Sequence, residues 1–385
     1  MKRNVTLMIV PSSDNQIRMI RGILDFARES ENIQIAKNSA IPFVPWSMID
    51  SVDCEGVIAY AESEEQISLL QRLNKPVVNV TLHRKPCDKI PTVHSDNEAI
   101  GRLAAEHLLS QGLKQFAVVG HFEWHHNELR RNGFVGCLRS NNMVASMIDV
   151  QFESEVAGDL SIRRIDRRAL REALKDLSLP IGIFATHDEF AYEVVDVMNE
   201  LGRSVPFDAS VIGVNNNRLI CDTTSPTLTS ISQSSERIGY LAAELLYRWI
   251  ESGKRPESSI TVPPGELCVR RSTGYLAVAD VSIIPVIQFI RDQCHRPISA
   301  HDVAEKFDLG RKALDKKFRL ALGHSVTEEL RRERIRLARQ LLVTTDLTVI
   351  EIGIRCGFES ASGFVRAFRE TTGCSPGRTR RGHEN

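Results

Sequence analysis

The first 275 residues alternate between short apolar runs and longer segments with helical spacing. Residues 5–10 are apolar and rich in β-branched side chains, and the next segment repeats apolar residues at helical spacing from Ile17 to Ala27. Further apolar runs predict strands at residues 56–60, 76–80, 116–120, 181–185 and 211–214. Amphipathic segments between them predict helices at residues 98–111, 169–177, 190–201 and 234–252. Continuous apolar strands separated by amphipathic helices predict an α/β fold, with parallel sheets covered on both faces.

The last hundred or so residues keep only the helical spacing. Two helix-turn-helix units are predicted, at residues 299–320 and 348–371, each with two short helices around a turn. Gly357 makes the turn of the second unit, and Ser360 starts its second helix. The apolar sides of these two helices are predicted at Val349, Ile350, Ile352, Ile354, Phe364, Val365 and Phe368. A long helix at residues 326–342 would connect the two units over ~25 Å.

The two patterns divide the chain into an α/β domain at residues 1–275, a linker at 276–284 and an all-α domain at 285–385. Residues 262–275 are expected to form the strand that closes the first domain. The chain carries 49 basic and 49 acidic residues, but residues 281–385 hold 19 Lys and Arg against 13 Asp and Glu. The second domain is therefore basic, which is typical of proteins that bind the phosphate backbone of nucleic acid.

The chain lacks the sequence signals of secretion, membrane insertion and metal binding. Its eight cysteines are scattered, with no Cys-x-x-Cys pair and no zinc-type Cys/His spacing. This indicates free, mostly buried thiols in a reducing compartment. The apolar run at residues 5–10 is too short for a signal peptide, and no stretch approaches the ~20 apolar residues that span a bilayer. We expect a cytoplasmic protein with no membrane partner, no metal and no cofactor.

Polar side chains follow four of the predicted strands at their carboxyl ends, where parallel sheets bind ligands. They lie at residues 12–14, 121–124, 186–188 and 215–217, and they include one tryptophan, Trp124, as an aromatic platform. Paired donors and acceptors beside an aromatic ring suit a polyhydroxylated ligand. Other interpretations stay open, because Asp188 is equally suited to capping the helix at 190–201, Asn215 to a turn and Trp124 to the core.

The segment HSDNEAIGRLAAEHLLSQG at residues 94–112 resembles the start of the second lobe of LacI-type sugar-responsive repressors. The likeness runs through nearly all of residues 4–275 and implies a two-lobed, periplasmic-binding-protein-like domain with a sugar in the cleft. By position, the resemblance implies effector contacts at Asp96, Arg130, His187, Asn215 and Gln233. Asp188 and Trp124 are added as candidates from their place beside the cleft. The family usually has Asn or Asp in place of His187 and Asp in place of Asn215, so the identity of the sugar is not fixed.

Residues 285–381 resemble the DNA-binding domain of the AraC/XylS family of transcription regulators. The shared signature comprises Gly353, Cys356-Gly-Phe358, Ser360, Ser362, Phe364, Arg366, Phe368-Arg369, Gly373 and Ser375-Pro376. The resemblance implies base contacts from Lys312, Asp315 and Lys316 in the first recognition helix and from Ala361, Ser362, Gly363 and Arg366 in the second. It also implies a DNA contact from Ser360, at the start of the second recognition helix. Phosphate contacts are expected from Arg311, Lys317, Arg319 and Arg369. For Lys317 a solvated helix face is an equal alternative. Thr379 departs from the family, which usually has an aromatic residue there.

Three classes of protein have sequence requirements that can be checked against this chain. An enzyme needs an activated nucleophile, a metal cluster or paired carboxylates, and the nearest pair, Asp188 and Glu189, would point in different directions from a helix. A transport-linked binding protein would need an export signal and no DNA-binding domain. A sugar-responsive transcription regulator fits both domains, so no enzyme activity is expected.

The order of the two domains, sensor before DNA reader, resembles regulators of pentose operons. That resemblance implies an activator with a xylose-like pentose as effector, operator DNA as partner, a homodimer and a contact with RNA polymerase. The alternative is a regulator of the same architecture that responds to another sugar or acts as a repressor.

Overall fold

The computed structural model describes residues 2–36, 44–51, 53–153, 164–273, 281–345 and 347–381. The chain separates into two compact units, Met1–Ala277 and Val278–Asn385.

The first unit alternates strands and helices. Its strands are β1 (Arg3–Met8), β2 (Ile33–Ile35), β3 (Gly56–Ala59), β4 (Val77–Asn79), β5 (Val93–Ser95), β6 (Gln115–Gly120), β7 (Ser146–Asp149), β8 (Phe152–Glu153), β9 (Arg164–Ile165), β10 (Ile181–Ala185), β11 (Ala209–Val214), β12 (Thr229–Ile231), β13 (Ile260–Val262) and β14 (Leu267–Cys268). Its helices are α1 (Asp14–Ser30), α2 (Glu64–Arg72), α3 (Asn97–Ser110), α4 (His125–Ser140), α5 (Arg167–Lys175), α6 (Asp188–Glu200), α7 (Arg218–Thr223) and α8 (Ser235–Ser252), with a 3₁₀ helix at Trp46–Ser51.

The strands form two main sheets, and each sheet is the centre of one lobe. The first lobe has the parallel order β2-β1-β3-β4, with the parallel pair β5-β13 beside it. The second lobe has the order β14-β12-β11-β10-β6-β7, in which only β14 is antiparallel to its neighbour. Neighbouring residues Ile183 and Phe184 of β10 pack into separate apolar cores on the two faces of this sheet. The predicted α/β fold with doubly covered parallel sheets is confirmed.

The chain crosses between the lobes at three places that lie side by side. The Ser95 hydroxyl at the end of β5 donates to the carbonyl of Gln233 at 2.7 Å. The Asp96 N–H donates to the carbonyl of Val262 at 2.8 Å, and the Gly265 N–H donates to that of Ser232 at 2.9 Å. The prediction of one closing strand at residues 262–275 is therefore wrong, because this stretch ends β13 in one lobe and then forms β14 in the other.

Two pairs of glycines allow helices to cross closely, one pair in each lobe. A Cβ atom on Gly22 of α1 would overlap the Glu236 carbonyl of α8, and one on Gly239 of α8 would overlap the Met19 carbonyl of α1. In the second lobe, a Cβ on Gly101 of α3 would overlap the Arg130 carbonyl of α4, and one on Gly133 of α4 would overlap the Glu98 carbonyl of α3. Any side chain at these positions would force the helices apart.

The second unit is helical throughout its described part. A 3₁₀ helix at Val281–Ile283 precedes α9 (Ile284–Gln293), α10 (Ala300–Lys306), α11 (Arg311–Leu322), α12 (Val326–Thr344), α13 (Val349–Arg355), α14 (Ala361–Thr372) and α15 (Pro376–Arg381). Helical structure thus begins inside the predicted linker, whose residues 276–280 lie outside the described residues. The pairs α10–α11 and α13–α14 occupy the positions of the two predicted helix-turn-helix units.

The predicted apolar side of α13 is partly wrong. Ile352 is fully buried, but Ile350 is 59% and Ile354 is 63% exposed, because residues two positions apart point to opposite sides of a helix. Val365 of α14 is also exposed, whereas Phe364 and Phe368 are buried with Ile352 in one core. Gly357 forms the turn at φ +77°, where L side chains are strained, and a Cβ there would press on the carbonyl of Arg296.

All eight cysteines lie in the described ranges and carry thiols rather than disulfides. Only Cys54, Cys221, Cys294 and Cys356 are buried, so the expectation of mostly buried thiols holds for half of the cysteines. None of the helices in the described ranges combines the length and the apolar character of a membrane span. The same residues contain no group of three or more His, Cys, Asp or Glu side chains arranged to hold a metal.

Candidate ligand cavity and nucleic-acid interface

A small cavity lies between the two lobes of the first unit, at the carboxyl ends of their strands. It encloses about 20 Å³ and is lined mainly by polar side chains: Asn15, Tyr60, Thr81, His94, Ser95, Asn97, His126, Arg130, His187 and Gln233. This volume holds about one water molecule, whereas sites for small ligands measure roughly 300–1,000 Å³. A ligand the size of a sugar would therefore require the lobes to move apart.

Arg130 is the charged group of this cavity. Its side chain comes from α4 and is 1% exposed. The Nε atom donates to Asn97 Oδ1 at 2.9 Å, and one terminal nitrogen donates to the carbonyl of Thr186. Both acceptors are neutral, and Arg130 makes no ion pair with any carboxylate in the described part of the chain. Burial lowers the pKa of Arg130 to about 10, so the group is still charged at neutral pH.

Two histidines of the second lobe meet in the lining of the cavity. The Nε2 atoms of His126 and His187 are 2.9 Å apart, so one of them must donate a proton and the other accept it. Burial lowers the pKa of both imidazoles well below its usual value, and the positive charge of Arg130 adds to this effect. Both rings are therefore neutral at pH 7, which lets them share a single hydrogen bond.

The second lobe also donates hydrogen bonds directly to the first. Trp124, the N-cap residue of α4, makes no side-chain capping bond. Instead, the N–H groups of His125 and His126 donate to the carbonyls of His83 and Leu82 at 3.0 and 2.9 Å. The first turn of α4 is thus capped by carbonyls from the other lobe. These bonds hold the lobes together in the present structure.

The structure brings only some of the predicted effector residues together. Arg130, His187 and Gln233 line the cavity. Asn215 lies directly behind them, because its Oδ1 accepts from Gln233 and its Nδ2 is 3.3 Å from His187 Nδ1. Asp96 is instead the N-cap of α3, where its carboxylate accepts from the Ala99 N–H at 2.8 Å.

Trp124 and Asp188 lie in the walls rather than in the cavity lining. The Trp124 ring stacks on Phe152 and Phe190, with centroids 5.8 and 6.1 Å apart. Asp188 is fully buried, and its oxygens accept from Ser230 Oγ at 2.6 Å and from the Asn217 N–H at 2.8 Å. Burial raises the pKa of this carboxyl to about 7. The capping interpretation of Asp188 is wrong, because α6 begins at Asp188 and His187 is its N-cap.

Sequence reasoning missed several lining residues. Asn15 and His126 stand one or two positions beyond the polar segments that the pattern selected, and Asn97 follows Asp96 directly. Tyr60 is the last residue of the predicted strand at residues 56–60. Their position at the carboxyl ends of strands was the available signal. Thr81 directly follows the strand predicted at residues 76–80, so the same signal was available there. His94 lies in β5, a strand of three residues that the pattern did not predict.

The first recognition helix, α11, presents most of its predicted contacts to the surface. Arg311, Lys312, Lys316 and Arg319 are exposed. Asp315 behaves differently, since its Oδ1 accepts from the Val326 N–H at 3.0 Å and so fixes the start of α12. Lys317 is also engaged within the unit, because its Nζ donates to Ser282 Oγ at 2.6 Å.

The second recognition helix, α14, is capped by Ser360, whose Oγ accepts from the Gly363 N–H at 3.1 Å. Ser362, Arg366 and Arg369 are exposed, and Ala361 and Gly363 are half-buried at its first turn. The exposed side of this helix therefore carries two arginines and small side chains, whereas α11 carries four basic residues.

Each unit matches a known domain family. Residues 105–273 match the family of periplasmic binding protein-like domains, and residues 303–382 match a helix-turn-helix domain family. The two matches lie in the order that the sequence resemblance implied.

Several relatives align with the chain over stretches that include parts of both domains. The chain is 28% identical to the xylose operon regulatory protein of Haemophilus influenzae over 85% of either chain. It is 27% identical to the protein of that name from Escherichia coli K12, over 84% of this chain and 82% of the relative. A solved structure of a xylose-binding transcription activator superposes with a TM-score of 0.76, at 23% identity over 99% of this chain and 98% of that one. The chain is thus similar to these regulators through both domains, and the resemblance drawn from the sequence is confirmed.

Proposed function

We propose that this chain is a sugar-responsive, sequence-specific DNA-binding transcription regulator without enzymatic activity. The observation that carries the proposal is the presence, in one chain, of a two-lobed domain with a polar cavity and a helical domain with two basic recognition helices. The relatives named above are xylose operon regulatory proteins that align with about 85% of this chain, and such an alignment includes parts of both domains. A regulator of this kind acts in the cytoplasm, where its DNA is.

The helical domain is suited to reading two adjacent stretches of duplex DNA. Helix α12 has 19 residues, which corresponds to about 28 Å at a rise of 1.5 Å per residue. A helix of this length between two recognition helices matches the spacing of successive major grooves, which is roughly 34 Å. We assign base contacts to Lys312, Lys316, Ser362, Gly363 and Arg366, and phosphate contacts to Arg311, Arg319 and Arg369. Asp315 is assigned to holding α12 in place.

The effector is assigned to the cleft between the lobes, with Arg130, His187 and Gln233 as its first contacts. Because the relatives are named for the xylose operon, D-xylose is the first effector to test, and activation is the first direction of regulation to test. Another sugar, or repression, is the alternative for the same architecture.

The mechanism couples lobe movement to DNA binding. An effector that enters the cleft must break the bonds from His125 and His126 to the other lobe and replace them with its own contacts. If DNA binding favours the same arrangement of the sensor, effector and DNA each tighten the binding of the other by the same factor. We further propose a homodimer, which would place four recognition helices on paired half-sites, and a contact with RNA polymerase during activation.

Two measurements on the full chain test this proposal. Selection from a random duplex library should enrich paired half-sites that bind at least about 10³-fold more tightly than random DNA at physiological salt. Addition of the effector should then change the affinity for the enriched site by about 5- to 150-fold. No enrichment would exclude a sequence-specific regulator, and enrichment without any effector response would exclude the sensing role.

A further inference from the structure

The two helix-turn-helix units contact each other directly, beside the long helix that connects them. Gly357, in the turn of the second unit, lies against the loop that leads into α10 of the first unit. A Cβ atom on Gly357 would be 2.5 Å from the carbonyl oxygens of both Cys294 and Arg296 in this loop. Atoms of this kind do not approach so closely, so the turn and the loop meet only because residue 357 has no side chain.

One side chain of α12 binds the same loop. Arg334 Nε donates to the carbonyl of Cys294 at 3.0 Å. Its Nη2 atom donates to the carbonyl of Arg296 at 2.9 Å and to that of Ile298 at 2.7 Å. Ile298 directly precedes Ser299, the N-cap residue of α10. These bonds therefore fix the position at which the first helix of the first unit begins.

The guanidinium group of Arg334 also reaches the second unit. It lies 5.8 Å from the ring centroid of Phe358, which is within the range of a cation–π interaction. The Phe358 ring packs in turn on Phe364 of α14, with centroids 5.2 Å apart, and Phe364 is fully buried. Arg334 thus connects the loop before α10 to the second recognition helix through side chains, in addition to the backbone of α12.

These contacts bear on how the domain reads DNA. Two units joined only by α12 could turn relative to each other at the ends of that helix. One added base pair moves the second stretch of DNA by about 3.4 Å along the duplex axis and by about 35° around it. A hinged pair of units could follow this change, whereas units held together by Arg334 could not.

We propose that Arg334 is a positioning residue that holds the two recognition helices in one relative orientation. The domain then accepts one spacing between the two stretches of DNA that it reads, and it rejects sites whose spacing differs by a base pair. Arg334 does this without contacting a base, because its Nε and Nη2 atoms bind the carbonyls of the loop. This inference rests on the proposed DNA-binding function and identifies what sets the spacing of its sites.

The dependence of affinity on spacing tests the proposal on the full chain. The selected duplex would be compared with duplexes that carry one or two extra base pairs between the two stretches read by one domain, as mapped by single base-pair substitutions. The unaltered protein should bind each longer duplex about tenfold or more weakly, because one recognition helix loses its base contacts. In the Arg334→Gln variant this ratio should fall by about threefold or more, since flexible units adapt to either spacing.

Arg339→Gln is the matched control. Arg339 is exposed on the same helix, so its replacement removes the same charge and leaves the contact between the units in place. A uniform loss of affinity in the Arg334→Gln variant, with an unaltered ratio between spacings, would show that Arg334 acts only through charge or stability and would overturn the proposal. Equal binding of all spacings by the unaltered protein would overturn it as well.

A distance measurement tests the same proposal without DNA. Spin labels on non-canonical residues at the exposed positions Leu320 of α11 and Val365 of α14 report the distance between the recognition helices. Dilution with unlabelled protein restricts the signal to pairs within one chain. The unaltered protein should give one narrow distribution of distances, and the Arg334→Gln variant a broader one.

The distance distributions separate this proposal from the proposed function. A broad distribution in the unaltered protein would overturn the positioning role even if the variant does not fold, and so would an equally narrow distribution in a folded variant. A narrow distribution that broadens in the variant, without any selection of a DNA sequence, would refute the regulator and support the positioning role of Arg334.

Discussion

The Nε2 atoms of His126 and His187 lie 2.9 Å apart and belong to one chain of hydrogen bonds that reaches across the cleft. It starts where Gln233 donates to Asn215, and Asn215 Nδ2 then lies 3.3 Å from His187 Nδ1. With His187 donating through Nε2, His126 carries its proton on Nδ1, which is 3.3 Å from the carbonyl of Leu82. The tautomers are assigned from this network. In this chain each side chain donates to the next one, from Gln233 to the Leu82 carbonyl of the first lobe.

The neutral state of this pair predicts an acid sensitivity of the first unit. Its imidazoles have pKa values well below 6.5, whereas in the unfolded chain they return to about 6.5. The unfolded state therefore binds more protons as the pH falls below about 6.5, and the free energy of unfolding decreases. Urea titrations at pH 7.5 and 5.5 should show this loss.

The variant His126→Gln identifies the source of that loss. It keeps a neutral hydrogen-bonding side chain, so its free energy of unfolding should fall less than that of the unaltered protein between the two pH values. The raised pKa of Asp188, about 7, acts in the opposite direction, because stability from that group falls as the pH rises from about 4 to about 7. This contribution cancels when the two proteins are compared at the same pH. An equal decrease in the free energy of unfolding of both proteins would show that His126 is not the cause.

Gly101→Ala should destabilise the second lobe by roughly 1–3 kcal/mol, because the added Cβ overlaps the Arg130 carbonyl where α3 and α4 cross. Thermal unfolding measures the effect. Gly136→Ala, on α4 with no neighbour near its Cβ, is the matched control and should leave stability unchanged or raise it by up to about 1 kcal/mol. Equal melting temperatures for the two variants would contradict the close crossing.

Asp315→Ala should cost roughly 0.5–2 kcal/mol of stability in the helical domain, because the N–H of Val326 loses its acceptor at the start of α12. The expected loss is one of folding rather than of base recognition, so the order of preference among DNA sites should stay the same. A changed preference among DNA sites, with unaltered stability, would instead assign Asp315 to a base contact.

Lys316→Ala should leave stability within about 0.5 kcal/mol, because the side chain is exposed on α11. It should weaken binding to the selected site by roughly 1–3 kcal/mol and relax the preference at one base pair if the lysine contacts a base. The Arg366→Ala variant tests the same expectation for α14. Equal weakening on specific and random DNA, with a smaller salt dependence, would assign either residue to phosphate instead.

Local patterns predicted most elements of the fold. Strand β10 was predicted at its observed bounds, and β11 and α8 came within two residues, because a long apolar or amphipathic run leaves few alternatives. Short elements were missed or misread. Strands β13 and β14 have three and two residues, and their separation into two lobes depends on pairing with the distant strands β5 and β12.

The candidate cavity was predicted in location but only partly in composition. Arg130, His187 and Gln233 lie in its lining, whereas Asp96 caps a helix and Asp188 binds its own lobe. Polar residues beside a cleft have several partners available, and the sequence does not say which one each will take. Ile350 and Ile354 illustrate the same limit, because only the packing of α13 decides which side faces the core.

The two kinds of domain, their order and the helix-turn-helix units could all be predicted from the sequence, because they depend on periodicity and on motifs within short stretches. The tertiary structure was needed to place the Arg130 side chain against Asn97 and the Thr186 carbonyl, to bring His126 to His187 and to cap α4 with carbonyls of the first lobe. These relationships join residues from loops far apart in the chain. They follow from how the two lobes face each other, which no local pattern encodes.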